Sequence, residues 1–285
     1  MNSKPQWLKI RHKPNPQFDE TISILKSLDL NTVCAEANCP NCAECFSNKT
    51  ATFMILGTNC TRDCRFCNVS FGVPAAVDST EAERIANAVK KLGLRYVVIT
   101  SVTRDDLEDG GASHFVSIIQ TLKKEAPDTE IEVLIPDFGG SMSALKQIVD
   151  AIPSVIGHNI ETVPELYEHV RPQADYLRSL NILREIKALN PNIYSKTGIM
   201  LGLGETKKQV ELLFDDLRDV GCDFLTIGQY LAPSKSHFPT IEYIAPEQFE
   251  HYGNTAREKG MSFVMSAPLV RSSYNAIEAF TNVYE

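Results

Sequence analysis

Short apolar runs rich in β-branched residues alternate along this chain with longer amphipathic stretches. That alternation marks repeated βα units around a parallel sheet. Strands are predicted over Thr52 to Leu56, Tyr96 to Ser101, Ile131 to Ile135, Val155 to Asn159, Lys196 to Leu201 and Phe224 to Gly228. Helices are predicted between and after them, over Ser79 to Leu92, Ser113 to Lys124, Met142 to Ala151, Ala174 to Leu189, Lys207 to Val220 and Pro246 to Lys259. Their apolar residues recur at helical spacing, as Ile85, Val89 and Leu92 do. Six such units occupy about 210 residues, short of the roughly 250 that a closed eight-unit barrel takes, so the expected fold is α/β, a partial six-unit β/α barrel. A short amphipathic helix through Phe18, Ile22, Leu25 and Leu28 precedes it. The expected organisation is an N-terminal extension over residues 1–50, the barrel over 51–260 and a C-terminal extension over 261–285.

Composition adds little to that picture except by exclusion. Hydrophobic residues make up 43% and charged residues 22% of the 285, which suits a globular enzyme and argues against disorder. No apolar run approaches the roughly 18 residues that span a bilayer, and the opening MNSKPQWLKIRHK has no signal-like apolar region, so the expectation is a cytoplasmic protein without a membrane partner. A net charge of −8 speaks against nucleic acid as a general partner. Lys4, Lys9, Arg11 and Lys13 nevertheless fall in a stretch free of Asp and Glu, either a solvated arm or one that docks an acidic partner.

The cysteines change the picture most. Seven of the eight lie between Cys34 and Cys67, a crowding that reads as metal ligation in a chain of cytosolic character. Cys60, Cys64 and Cys67 form a CxxxCxxC directly after the first predicted strand, where barrel enzymes keep their chemistry. A cubane cluster has four irons, so three thiolates leave one iron open to a substrate or cofactor, whereas a zinc loop normally brings a fourth Cys or His. Upstream, Cys34, Cys39 and Cys45 form a second trio. Cys42 lies inside it, and Cys39, Cys42 and Cys45 by themselves spell a CxxCxxC able to hold zinc or to compete for a cluster. Cys222, between a predicted helix and strand, reads as a buried thiol.

The CxxxCxxC resembles the radical S-adenosylmethionine superfamily. With the upstream trio and the C-terminal Arg271-Ser-Ser-Tyr, the chain resembles the lipoyl synthases, through stretches such as TSVTRDDLEDGGASHF, HNIETVPELYEHVRPQADYLRSL and LTIGQYLAPSKSHFPTIEYIAPEQF. The resemblance implies a 4Fe-4S cluster on Cys60, Cys64 and Cys67, whose open iron binds S-adenosylmethionine, with Phe66 beside the adenine. It implies a second, auxiliary 4Fe-4S cluster on Cys34, Cys39 and Cys45, with a serine oxygen from RSSY as fourth ligand: Ser273, or failing that Ser272. Cys42 departs from the family pattern. Read without the resemblance, RSSY is a helix N-cap.

Polar residues at three predicted strand ends can converge at one mouth of a barrel. Thr100 and Ser101, with Arg104, Asp105 and Asp106, follow the second strand, where the superfamily contacts the cofactor's amino group; the alternative is a turn whose Asp, Ser and Gly residues cap the next helix, which explains Gly110, Gly111 and Ser113. Asn159, Glu161 and Arg178 are expected to meet the cofactor's ribose hydroxyls and carboxylate through hydrogen bonds, the arginine bidentately; the alternative is a surface ion pair. GIMLGLGE (198–205) resembles the strand that backs the adenine, and Lys207 stands where a dinucleotide loop needs its third glycine.

The activity so implied is insertion of two sulfur atoms, at carbons 6 and 8, into an octanoyl group on a lysine of a lipoyl carrier protein, with flavodoxin or ferredoxin supplying electrons. Another sulfur-inserting enzyme of the biotin synthase type is the rival, disfavoured by RSSY and the upstream trio. A two-cluster electron carrier would not need a barrel of this size.

Overall fold

The computed structural model describes residues 4–9, 16–36, 39, 41, 44–45, 52–274 and 276. Seven strands form one parallel sheet whose spatial order is their order in the chain: β1 (Thr52–Ile55), β4 (Tyr96–Ser101), β5 (Glu130–Leu134), β6 (Val155–Gly157), β7 (Tyr194–Leu201), β8 (Phe224–Gln229) and β9 (Phe263–Ser266). Between β1 and β4 lies a small parallel pair, β2 (Asn59–Cys60) with β3 (Ser70–Phe71), in which Cys60 stands opposite Phe71.

The helices are α1 (Pro16–Ser27), α2 (Val33–Glu36), α3 (Glu81–Leu92), α4 (Ala112–Glu125), α5 (Met142–Asp150), α6 (Tyr167–Val170), α7 (Tyr176–Leu189), α8 (Lys207–Asp219) and α9 (Pro246–Glu258). From α3 to α9, setting aside the one-turn α6, a helix follows each strand of the sheet up to β8, so the six expected βα units are present. The seventh strand was not expected. Phe263–Ser266 pairs in parallel with β8 inside the stretch assigned to a C-terminal extension. Four residues with three half-buried positions give too short and too mixed a pattern to read as a strand before its partner is known.

Tyr96 and Val98 of β4, Val155 of β6 and Phe224 of β8 belong to one apolar cluster on the same side of the sheet. In the N-terminal halves of their strands, Lys196 Nζ lies 2.8 and 2.9 Å from the two carboxylate oxygens of Glu132, and Tyr96 Oη donates to the same carboxylate at 2.6 Å. Burying these charges is tolerable only because each is paired. Burial, with Glu132 beside it, pushes the Tyr96 hydroxyl well above its usual range.

Local chemistry sets the ends of the helices. Gly93, at φ 64°, closes α3 with a left-handed residue. Asp175 caps α7 by accepting from Arg178 N at 2.7 Å, and Thr206 with Gln209 forms a reciprocal capping box on α8. Among the described residues no helix is long and apolar enough to cross a membrane.

Candidate active site

A cavity of about 550 Å³ is lined by the C-terminal ends of the strands and the loops that follow them. Met54, Thr100, Leu134, Gly198, Met200, Thr226 and Gly228 supply its inner wall from five strands. Of the residues singled out from sequence, Cys60, Cys64, Cys67, Phe66, Thr100, Ser101, Asn159, Glu161 and Ser273 all line it. Arg178 does not. Its guanidinium pairs with Asp137 at 3.3 Å and lies along Gly140, whereas Arg171, at the end of α6, lines the cavity. One turn of 3-10 helix over Pro164–Leu166, then α6, carries the chain back over the strand ends and brings Arg171 rather than Arg178 to the mouth.

The loop carrying Cys60, Cys64 and Cys67 is tightly bound on its outer side. Arg62 forks onto Asp105 with two bonds of 2.8 Å and reaches Asp137 at 2.7 Å. Burial alone would lower the Arg62 pKa, but these two carboxylates raise it well above the usual value. Asp137 is likewise buried, yet Arg62 holds it down to about 2. Arg62 N and Thr103 N both point at Cys60 Sγ, at 3.4 and 3.3 Å, the kind of donors that stabilise a thiolate. Burial pushes the Cys64 thiol up to about 11 and Cys67 to about 12, so without a cation the pair would stay protonated. Bound iron reverses that balance, because a coordinating thiol is deprotonated outright. Among the described residues no group of three His, Cys, Asp or Glu converges on a single metal ion. A cubane asks for a different arrangement, each thiolate on its own iron.

Deeper in the cavity the donors suit a nucleoside-like ligand. Asn159 Nδ2 donates to Glu161 Oε1 at 3.1 Å, and Glu161 itself sits at φ 69°, a strained conformation for a non-glycine residue and one that clusters at ligand sites. Burial raises the Glu161 pKa against the nearby Arg171. Arg171 Nη1 donates to the carbonyls of Asn159 and Ile160 at 2.8 and 3.2 Å. Ser101 Oγ and His158 Nε2 are buried polar atoms with no hydrogen-bond partner among the described residues, which leaves capacity for a ligand. Gly198 keeps the space open: a Cβ there would lie 2.7 Å from Thr226 Oγ1 and 3.0 Å from Asn159 Oδ1. The donor set and the cleared space fit S-adenosylmethionine. Arg104, Asp105 and Asp106 are not in the cavity wall: Arg104 forks onto Asp106, and Asp105 takes Arg62. Asp109 caps α4 through Gly111 N and Ser113 N, as the turn reading expected of this segment.

A second cavity, of about 130 Å³, is lined by Cys34, Cys39, Cys45, Asn41, Arg271, Ser272, Ser273 and Tyr274, together with Val33 and Thr52. The upstream trio and RSSY thus meet. Val270 lies directly on Gly228 of β8, where any Cβ would collide with its carbonyl oxygen, and this close approach seats RSSY. Tyr274 Oη donates to Glu44 at 3.0 Å. Burial lowers the Arg271 pKa, and the neighbouring Cys39 opposes the shift. Cys42 and the basic positions Arg11 and Lys13 lie outside the described residues.

Residues 54–217 match the family model described as the radical SAM superfamily. The chain is 58% identical over 275 residues to a lipoyl synthase of Caldicellulosiruptor saccharolyticus, covering 96% of each chain. It is 54% identical to the lipoyl synthase of Alkaliphilus metalliredigens, covering 97% of this chain and 95% of the relative. The chain belongs to the lipoyl synthase family. Streptococcus suis SuiB bound to S-adenosylmethionine shares the fold at TM-score 0.59 and 13% identity, over 88% of this chain and 62% of that one.

Within a lipoyl synthase the two cavities acquire distinct meanings. One contains the superfamily's three cysteines, and the other the second trio with RSSY. Arg62 and Arg171 escaped the sequence reading because an arginine declares its partners only through chain path. Arg62 did leave a signal, a basic residue inside the CxxxCxxC that two acids of TRDD and PDFGG could have been expected to answer.

Proposed function

We propose that the chain inserts sulfur at carbons 6 and 8 of a protein-bound octanoyl-lysine where the two cavities adjoin. The observation carrying this reading is their shared wall: Val33, Thr52, Arg271, Ser272 and Ser273 line both. Aliphatic C–H bonds offer no acid–base handle, so the protein's task is to hold the octanoyl chain between a radical source and a sulfur source. Cys60, Cys64 and Cys67 would hold one 4Fe-4S cluster by three thiolates, a ligand set one short of the cluster's four irons and so open to S-adenosylmethionine. When bound there, the two together supply the 5′-deoxyadenosyl radical. Phe66, Thr100, Ser101, Asn159 and Glu161 hold the cofactor, and Arg171 takes the role expected of Arg178.

Cys34, Cys39 and Cys45 hold the auxiliary cluster, with Ser273 as its fourth ligand. A hard serine oxygen would be the weakest donor of that set for iron bound by soft thiolates, so Ser273 would be its most readily released ligand. The substrate is a lipoyl carrier domain of a dehydrogenase complex or the glycine cleavage carrier, and the electron comes from flavodoxin or ferredoxin in the cytoplasm. The test is iron and sulfide analysis of anaerobically reconstituted protein. Wild type should hold about eight irons, and the joint change of Cys60, Cys64 and Cys67 to Ala about four, with no S-adenosylmethionine cleavage. About four irons in wild type would overturn the two-cluster reading.

A further inference from the structure

We propose that His237 is a positioning residue for the cysteine loop of the S-adenosylmethionine cluster, tying its third cysteine to the wall of the substrate cavity. This rests on the assignment of Cys60, Cys64 and Cys67 to that cluster. Residues 231–240, the loop after β8, lie across the cysteine loop. Phe238 N donates to Arg65 O at 2.7 Å, and Tyr230 Oη donates to Phe238 O at 2.6 Å. Phe66 and Phe238 pack against the same apolar cluster of Val170, Leu203 and Tyr230. Within this strap, His237 Nε2 lies 3.0 Å from the carbonyl oxygen of Cys67, and its Nδ1 lies 2.8 Å from Ser234 Oγ.

The chemistry of the partners assigns the tautomer. A carbonyl only accepts, so Nε2 carries the hydrogen and Nδ1 accepts from the Ser234 hydroxyl. Ser234 is itself held by Ser236, whose backbone N–H donates to Ser234 Oγ at 3.2 Å. The ring is therefore fixed at both nitrogens, and its N–H dipole points its positive end at the peptide that follows the third cysteine.

Two consequences follow. Donors directed at a cluster's ligands and their peptides stabilise the added electron, so this bond raises the cluster's reduction potential. The strap also supplies Leu231, Ala232 and Pro233 to the cavity wall, so the same bond fixes that wall relative to Phe66 and Cys67.

The experiment compares His237→Ala, His237→Gln and Ser234→Ala holoenzymes by redox titration under electron paramagnetic resonance and by equilibrium binding of S-adenosylmethionine. The signal followed is the one that S-adenosylmethionine alters in wild type; its absence in wild type would count against the cluster assignment itself. His237→Ala should keep the wild-type iron content, shift that midpoint to more negative potential and weaken cofactor binding about tenfold, the scale of one lost hydrogen bond. His237→Gln presents an N–H to the same carbonyl and should restore both values, with Ser234→Ala in between. If the alanine variant loses iron, a glutamine variant with wild-type iron and potential still supports the proposal. It is overturned if Ala matches wild type in both measurements, or if Gln is as impaired as Ala.

Discussion

Asn41 donates its side-chain amide to the backbone carbonyl of Leu269 at 2.7 Å, across 228 positions of sequence. Asn41 is almost fully buried and sits among the upstream cysteines, while Leu269 lies two residues before RSSY. This bond therefore joins the two segments that line the smaller cavity.

Replacing Asn41 by Ala should loosen that junction. A buried carbonyl left without its donor costs about 1–3 kcal/mol, drawn from the fit between the two segments rather than from the sheet. We expect partial loss of the second set of irons, while S-adenosylmethionine cleavage continues at the wild-type rate. Iron analysis and 5′-deoxyadenosine assay on one preparation check this. Unchanged iron would mean that the trio and RSSY hold together without the bond.

Ser273→Ala tests sulfur transfer separately from radical formation. Three thiolates from Cys34, Cys39 and Cys45 should retain most of the iron, so its content falls little. An open iron in place of the serine oxygen loses the fixed geometry on which the rate depends steeply. The variant should form 5′-deoxyadenosine with an octanoyl-lysine peptide and give little or no lipoyl product by mass spectrometry. Normal yield here, with Ser272→Ala inactive, would move the role to the neighbouring serine.

Gly198→Ala places a methyl group 2.7 Å from Thr226 Oγ1 and 3.0 Å from Asn159 Oδ1. Relief must come from Asn159 or Thr226, at about 1–3 kcal/mol. Affinity for S-adenosylmethionine should fall roughly 10- to 100-fold, with iron content unchanged. Calorimetric titration reads this directly, and wild-type affinity would show that the space is not used by the cofactor.

Asp137 makes stability depend on pH in a defined direction. Its folded pKa of about 2 lies below the ordinary carboxylate value, because Arg62 outweighs the effect of burial. The stabilisation is therefore fully present above about pH 4 and is lost as pH falls toward 2, and it amounts to roughly 2 kcal/mol. Asp137→Asn should lower stability at neutral pH and flatten this acid limb. Denaturant unfolding at pH 7 and pH 3 measures both, and equal pH dependence in the two proteins would refute the assignment.

Local pattern was enough for the βα repeat, because strand and helix are decided within a few residues by β-branched runs, amphipathic spacing and caps such as Thr206 with Gln209. The CxxxCxxC was equally legible, since three thiols that line one cavity need only be close along a loop. The seventh strand was not, because Phe263–Ser266 is a strand only by virtue of its neighbour β8. Nor was the choice of Arg171 over Arg178 at the mouth, which depends on how the chain turns after β6. The approach of RSSY to the upstream trio came from family resemblance alone; by its own residues that segment read as a helix cap. What brings them together is a close backbone approach at Gly228 and a hydrogen bond from Asn41. Contacts between segments more than two hundred residues apart leave no periodicity in the chain, because nothing local depends on them; only the tertiary fold, which sets both segments at the same end of the sheet, decides them.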